Sequence, residues 1–314
     1  MKKVIVTGCA GFIGSALSDR LLRDGYHVTG IDCFTDNYDP KMKLKNLEPL
    51  FEREQFEFIG KRISEVDWES LFTPDTILFH QAAMPGVRAS WGQRFDRYLN
   101  ENILATQRLL EAAKQRSIAK FVYASSSSVY GVTTGRTSEQ LLPQPHSPYG
   151  VTKLSGEQLC GLYAANYGVP TVALRYFTVY GPGQRPDMAF HRFIRAMLRD
   201  EAIPVFGDGS QSRDFTYVDD IVEANLLAAK SVCHGEVFNI GGKSRIAIND
   251  VISLLERLLG VKAKIEWLPA QAGDPPHTWA DITKAEQMLG YNPQIPLEFG
   301  LQQQICYLRD FYNV

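Results

Sequence analysis

No apolar run in the 314 residues approaches the ~20 needed to span a bilayer, so the pattern does not call for a membrane. Charge of one sign is not in excess either. The formal net charge is −2 without a basic patch or run, and neither nucleic acid nor an anionic surface is an expected partner. Cysteine is sparse. Cys9, Cys33, Cys160, Cys233 and Cys306 are scattered, odd in number and free of CxxC spacing, which argues against a disulfide framework or a zinc site and fits free thiols in a reducing cytoplasm. The six histidines are dispersed and form no metal motif. Internal repeats and low-complexity tracts are missing too. The opening MKKVIVTGCAGFIG starts with positive charge as a signal peptide would, but its apolar stretch is short and broken by glycines at fixed spacing. It reads as a first β-strand. Apolar content, by contrast, is ample at 45%, enough for a large core in one big domain or two closely joined ones.

The first half alternates. Short β-rich runs at 3–8, 27–32, 56–60, 76–80, 120–125 and 170–177 are interleaved with helical periodicity at 12–25, 102–116 and 149–168, the first and last of these ending at Gly25 and Gly168. Such alternation predicts an α/β fold, a doubly wound parallel sheet with its ligand at the carboxyl ends of the strands. After about residue 178 the pattern loosens. A Pro/Gly-rich stretch at 180–187 precedes turn-rich short strands at 203–220, and helical patterns return at 219–230, 248–259 and 297–311. This half reads as a smaller α/β region that reaches back toward the first.

Three motifs carry chemistry. Gly8, Gly11 and Gly14 follow a predicted strand and open a predicted helix, the frame in which glycines let backbone N–H groups approach a pyrophosphate. The spacing differs from G-x-G-x-x-G. Asp32 ends the second strand, where a carboxylate accepts hydrogen bonds from adenosine ribose hydroxyls and repels a 2′-phosphate; NAD is expected rather than NADP. Tyr149 and Lys153 stand at i and i+4 on one helix face, so an ammonium beside the phenol would lower its pKa and make a usable base. Finally, ASSSSVYG puts Ser125, Ser126, Ser127 and Ser128 at the carboxyl end of the strand KFVYAS. A hydroxyl at that cleft edge can bond a reacting oxygen and relay its proton to Tyr149, while at least one of the four is expected simply to cap the strand end.

Taken together, TGxxGFIG at 7–14, the serine hydroxyl with YxxxK, RYFxVYGP at 175–182 and FGDGSQSRDFTYVDD at 206–220 resemble the extended short-chain dehydrogenase/reductases, the nucleotide-sugar epimerase/dehydratase family. The likeness spans nearly the whole chain. It implies an NAD-binding Rossmann domain over 1–178 and a nucleotide-sugar-binding region over 179–314, with some chain crossing back. It implies a tightly bound NAD regenerated each turnover, and Ser126, Tyr149 and Lys153 as the catalytic set. NAD contacts are implied at Gly8, Gly11, Phe12, Ile13, Gly14 and Asp32. Ile63, Gln81, Ala82, Ala83 and Asn102 are implied further along the strand ends, with Ser125, Tyr149, Lys153 and Tyr176 nearer the nicotinamide. Arg62 stands where many relatives have an aspartate toward the adenine. The family commonly pairs through two helices of the first domain, so a homodimer through 102–116 and 149–168 is implied.

Family members share removal of the O4 proton and of the C4 hydride, which leaves a 4-keto sugar, and diverge in the chemistry at C5 and C6. Dehydratases resemble one another in an Asp-Glu pair beside the catalytic hydroxyl, and uronate decarboxylases in Thr-Ser-Glu. Here Ser127 and Ser128 occupy those places, so elimination lacks its acid–base pair and epimerisation remains. Thr178 replaces the asparagine of many UDP-glucose epimerases, and PGVR at 85–88 with FTVYGPxQRPDMAFHRF resembles UDP-glucuronate 4-epimerases. A 4-keto uronate is a β-keto acid. Neutral hydroxyls at Ser127, Ser128 and Thr178 would restrain its carboxylate without repelling it. The resemblance further implies substrate contacts from Arg88, Met188, Arg192, Arg213 and Asp274. Arg185 would face either the sugar carboxylate or the diphosphate. Gln271 stands where many UDP-glucose epimerases carry an arginine. The competing readings are a UDP-glucose or UDP-N-acetylglucosamine 4-epimerase, a UDP-glucuronate decarboxylase with unusual residues, and a catalytically silent NAD-binding regulator.

Overall fold

The computed structural model describes residues 3–269 and 276–314. The first half runs β1 (Lys3–Thr7), α1 (Phe12–Arg23), β2 (His27–Ile31), α2 (Pro40–Phe51), β3 (Phe56–Ile59), α3 (Trp68–Leu71) and β4 (Ile77–His80). It continues through α4 (Phe95–Tyr98), α5 (Ala105–Arg116), β5 (Lys120–Ser126), α6 (Pro148–Tyr167) and β6 (Thr171–Tyr176). The second half holds β7 (Thr178–Tyr180), α7 (Ala189–Leu198), β8 (Ala202–Phe206), β9 (Ser212–Tyr217), α8 (Val218–Lys230) and β10 (Glu236–Ile240). β11 (Ser244–Ala247), α9 (Ile248–Leu259), β12 (Lys264–Leu268), α10 (Thr283–Leu289) and α11 (Leu297–Tyr312) complete it.

A seven-stranded sheet in the order β10-β6-β5-β4-β1-β2-β3 is parallel throughout. Its central strands are buried on both faces and so are apolar at nearly every position rather than alternately. On one face Val4, Val6, Val122 and Leu174 pack with Leu17 and Leu21 of α1 and Ile221 of α8. On the other, Ile5, Leu78, Phe121 and Tyr123 meet Leu109 of α5 and Cys160 of α6. The chain leaves β1 toward β2 and β3, then crosses back to place β4 on β1's other side. A crevice therefore opens at the carboxyl ends of β1 and β4, the switch point where such sheets bind ligands. Two smaller sheets, β11-β9-β7 and β12-β8, build the region beyond it.

The expected strands of the first half are present. Several elements lie outside the expected pattern, among them α2, α7, β7 and β10. α2 starts at Pro40 with Asp39 accepting from the Lys41 amide at 2.9 Å, but its lysines and internal Pro49 disguise its period. α7 buries Phe190, His191, Phe193 and Ile194 within a stretch dominated by loop signals upstream. β7 is only three residues long. β10 comes from the second half and adds to β6 as the edge of the main sheet, so the two halves share one sheet. α5 also begins later than its periodicity suggests, because residues Leu99–Leu104 form a π-helical segment joining it to α4. Among the described residues, no helix is long and apolar enough to cross a membrane.

Candidate active site

The turn after β1 is built on close approach. Gly8 has φ +74°, and a Cβ added to it would meet the Ala82 backbone nitrogen at 2.7 Å. A Cβ on Gly14 would lie 2.1 Å from the Gly8 carbonyl oxygen. Only glycine lets the β1–α1 turn, the start of α1 and the loop after β4 pack this tightly. Gly11 is the N-cap residue of α1 and has no side chain to bond the first-turn amides, among them those of Phe12, Ile13 and Gly14. That helix terminus thus offers N–H groups and positive dipole to an anion, as a pyrophosphate requires.

Asp32 stands just past β2. Its carboxylate accepts from the Ala10 and Phe34 amides at 3.2 and 2.8 Å, and the Lys43 ammonium lies 3.9 Å away. A carboxylate accepts about four bonds, so capacity remains for ribose hydroxyls. Arg62, where an adenine contact was in question, pairs with Glu101 instead. Ile63 is buried beside it, its carbonyl taking the Trp68 indole N–H at 2.8 Å. After β4, the Ala82 amide reaches the Thr7 hydroxyl at 3.3 Å, and Ala83 follows in the same loop. Gln81 and Tyr176 are tied together: the Tyr176 hydroxyl lies 3.2 Å from Gln81 Oε1 and 2.8 Å from the Asn225 amide that bonds it. Asn102 is buried. It sits within the π-helical segment and clamps the Met84 backbone at 2.7 and 3.1 Å while bonding Thr152 at 2.9 Å. The glycine cradle, the uncapped helix terminus and the acidic end of β2 together fit NAD.

Ser126, Tyr149 and Lys153 converge at the carboxyl end of β5 and the start of α6. Ser147 caps α6 by accepting from the Gly150 amide at 3.1 Å, and Pro148 at its first position sets the entry. Ser126 stands near enough to Tyr149 to act on its phenol, lowering the pKa. It also accepts from the Ser128 amide at 3.2 Å and lies 3.1 Å from the Ser128 hydroxyl, so the strand-end cap and the expected proton relay are the same residue. Lys153 Nζ donates to the Ala124 carbonyl at 2.7 Å over the Tyr123 ring. One expectation needs correcting. Burial raises the Tyr149 pKa, and the groups pulling it back are the Ser126 hydroxyl and the Arg185 charge rather than Lys153. Lys153 is itself pushed down to about 8 by burial, against the opposing charge of Glu157. The reason is geometric: the ammonium is turned toward Ala124. The Ser125 hydroxyl also points away from solvent, bonded to the Glu157 carboxylate.

A cavity of about 1160 Å³ opens above this trio. Ser127, Ser128 and Thr178 line it, as do Arg88, Arg185, Met188, Arg192 and Arg213. Arg185 forks onto Asp187 at 3.0 and 2.9 Å and acts electrostatically on Tyr149. Arg88 stacks 4.3 Å from the Phe206 ring centroid, with Arg192 on the same ring at 5.8 Å. Burial, with Arg88 and Arg195 nearby, lowers the Arg192 pKa. Arg213 Nη1 donates to the Ser212 and Pro276 carbonyls at 2.9 and 3.2 Å. Asp274 and Gln271 lie outside the described residues.

Two cavity residues were not legible beforehand. Phe206, inside a recognised motif, serves as the platform for both arginines. Tyr98 meets Tyr149 edge-on at 6.4 Å, and its hydroxyl donates to the Pro85 and Gly86 carbonyls at 2.9 and 3.1 Å, fixing the PGVR loop. No local pattern marks Tyr98, since its partners are 12 or more residues away.

Comparison with known proteins agrees with this arrangement. The chain is 49% identical over 313 residues to a protein of Bacillus subtilis (strain 168) named uncharacterized UDP-glucose epimerase YtcB, covering 99% of each. It is 40% identical over 311 residues to a UDP-glucuronate 4-epimerase of Thermodesulfobacterium geofontis, covering 98% of this chain and 96% of that one. The crystal structure of a UDP-glucuronic acid 4-epimerase from Bacillus cereus, in complex with UDP-glucuronic acid and NAD, superposes with a TM-score of 0.96 at 48% identity, over 99% of this chain and 100% of that one. Residues 4–241 match a single family as a unit, and with those likenesses the chain belongs to the NAD dependent epimerase/dehydratase family.

Proposed function

We propose that this protein is an NAD-dependent 4-epimerase that interconverts UDP-glucuronate and UDP-galacturonate. The observation that carries the reading is the cavity wall beside Tyr149. It presents the hydroxyls of Ser127, Ser128 and Thr178 and the Arg185 guanidinium, with no carboxylic acid at 127 or 128. An anionic C6 group suits that wall, whereas a 4,6-elimination would find no acid–base pair there. The structure of the Bacillus cereus enzyme with UDP-glucuronic acid supports it.

The residues divide the work. Tyr149 takes the O4 proton through its contact with Ser126, and returns it after the sugar has turned over. Lys153, an ammonium below about pH 8 on the same helix face, favours the phenolate in this scheme only when its ammonium swings from the Ala124 carbonyl toward Tyr149. NAD, when bound, accepts the C4 hydride and gives it back to the other face. Ser127, Ser128, Thr178 and Arg185 hold the carboxylate of the 4-keto uronate so that its C–C bond stays out of line with the ketone π system, which suppresses loss of CO₂. Arg88, Arg192 and Arg213 bind the diphosphate, for which forked donors are suited.

A second reading, turnover of a neutral UDP-sugar, is favoured by the name of the Bacillus subtilis relative. The two separate by incubating the purified protein with UDP-glucuronate and with UDP-glucose and reading products by proton NMR. UDP-galacturonate from the first with little change in the second supports the proposal. UDP-galactose alone refutes it, and a UDP-pentose means the wall lets decarboxylation through.

The active form is proposed to be a homodimer. Leu104, Val151 and Leu162 are exposed within the two helices named from sequence, 102–116 and 149–168, and exposed Leu99 lies just before the first. Leu162→Glu should halve the mass measured by light scattering. A cytoplasmic location fits the five free cysteines. A nucleotide-binding unit over 1–178 and a substrate-binding unit over 179–314 is the division that best separates the glycine cradle from the Phe206–Arg213 wall.

A further inference from the structure

Beneath the catalytic residues lies a buried charge pair that the reaction scheme does not use. Glu157 is on α6, one turn after Lys153 and two after Tyr149, so the three share a helix face. Its side chain is 2% exposed. The Arg175 guanidinium on β6 grips it through Nε at 2.9 and 3.2 Å and Nη2 at 2.7 Å. The remaining Arg175 nitrogen donates to the Tyr130 hydroxyl at 2.7 Å, which donates in turn to Asn239 Oδ1 on β10 at 2.7 Å. Asn239 then bonds the Thr137 carbonyl at 2.9 Å. On its other side Glu157 accepts the Ser125 hydroxyl, one residue before Ser126.

Replacing a buried ion pair by apolar residues is often neutral or stabilising, so folding alone does not account for this one. Its position does. We propose that Glu157, held by Arg175, is a positioning residue for the epimerase: it fixes the end of β5 through Ser125 and is the counter-charge that keeps Lys153 an ammonium at working pH. The proposal rests on Tyr149 acting as the base and Lys153 as the ammonium that supports it. The groups facing Lys153 are few. Glu157 and Cys160 share its helix and Tyr123 lies under it from β5, while His80 on β4 is held neutral by burial with its pKa near 3. Arg175 pairs with Glu157 from β6. Among these, Glu157 is the foremost charge opposing the effect of burial on Lys153.

The test compares Glu157→Gln, Glu157→Asp and Ser125→Ala in the NAD-loaded enzyme. The pH dependence of kcat is taken with whichever UDP-sugar is turned over, so inert UDP-glucuronate counts against the substrate reading and leaves this test intact. The ¹³Cε shift of Lys153, assigned with Lys153→Met, is titrated alongside and needs no substrate. Glu157→Gln should move the Lys153 midpoint and the alkaline limb of kcat down by about one pH unit, the size of a nearby-charge effect. Glu157→Asp should restore both midpoints while lowering kcat, and Ser125→Ala should lower kcat without moving either. If Glu157→Gln lowers kcat by the same factor at every pH and leaves the Lys153 midpoint in place, Glu157 is structural only and the proposal fails. Should Glu157→Gln not fold, Glu157→Asp and Ser125→Ala still decide: a shifted Lys153 midpoint in Ser125→Ala, or an unchanged kcat in both, would overturn it.

Discussion

Replacing Thr178 by valine removes one hydroxyl from the cavity wall and little else. Thr178 begins β7 and pairs with Phe215 of β9, a setting in which valine has the same shape and an equal taste for strand. The fold should therefore be spared. If the hydroxyl bonds a carboxylate, its loss removes a charge-assisted hydrogen bond worth about 1.5–3 kcal/mol. That corresponds to a fall of about 10- to 150-fold in kcat/KM for UDP-glucuronate. A neutral hydroxymethyl group at the same place loses only about 0.5–1.5 kcal/mol. The assay is kcat/KM for UDP-glucuronate by proton NMR, with the inhibition constant of UDP-glucose as the neutral reference, in wild type and variant. UDP-pentose is integrated in the same spectra, because a loosened carboxylate should also leave as CO₂ more often. If Thr178→Val weakens both nucleotide sugars by the same factor and releases no extra pentose, the carboxylate does not rest on this wall.

Gly14→Ala should strip the protein of NAD and lower its stability by about 1–3 kcal/mol, since the new methyl meets the Gly8 carbonyl oxygen at 2.1 Å and the cradle must open; nucleotide released on denaturation and a urea melt check both. Gly161→Ala, on α6 with open space around its Cα, is the control and should be neutral or stabilising by up to about 1 kcal/mol. Lys153 has a folded pKa of about 8 against an ordinary 10.5, so between those values the unfolded chain holds a proton that the folded chain has released. Folding stability therefore rises with pH through that window, and Lys153 costs on the order of 3 kcal/mol below it. Lys153→Met should be more stable than wild type at neutral pH, with the gap closing as pH rises toward 10.5. A pH-independent gap in paired urea melts would refute the assignment.

Much of this molecule was written locally. Gly8, Gly11 and Gly14 announce a turn that needs glycine at 8 and 14, Asp32 ends the second strand, and Ser147-Pro148 with Gly168 bracket α6 at both ends. Each signal depends on backbone geometry or period within a few residues, so a linear reading captures it. Alternation of strands and helices likewise dictated a parallel sheet and thereby the edge at which a ligand sits.

Other features depend on residues far apart in the chain. That Arg185 lines the cavity with Tyr149, half-buried against Asp187, depends on segments 36 residues apart in sequence meeting in space. Phe206 becomes a platform for Arg88 and Arg192 only when β8 is placed opposite the loop after β4. β10 completes the main sheet from the second half because its five residues find the open edge of β6. The direction of the Tyr149 pKa was also a tertiary matter. The Tyr-x-x-x-Lys spacing puts the two side chains on one face, but burial, the Ala124 carbonyl and Glu157 decide where the ammonium points and how firmly it keeps its proton. Sequence determined which groups could do the chemistry; the packing of distant strands determined the field in which they do it, because electrostatic energies depend on separation and burial that no local pattern encodes.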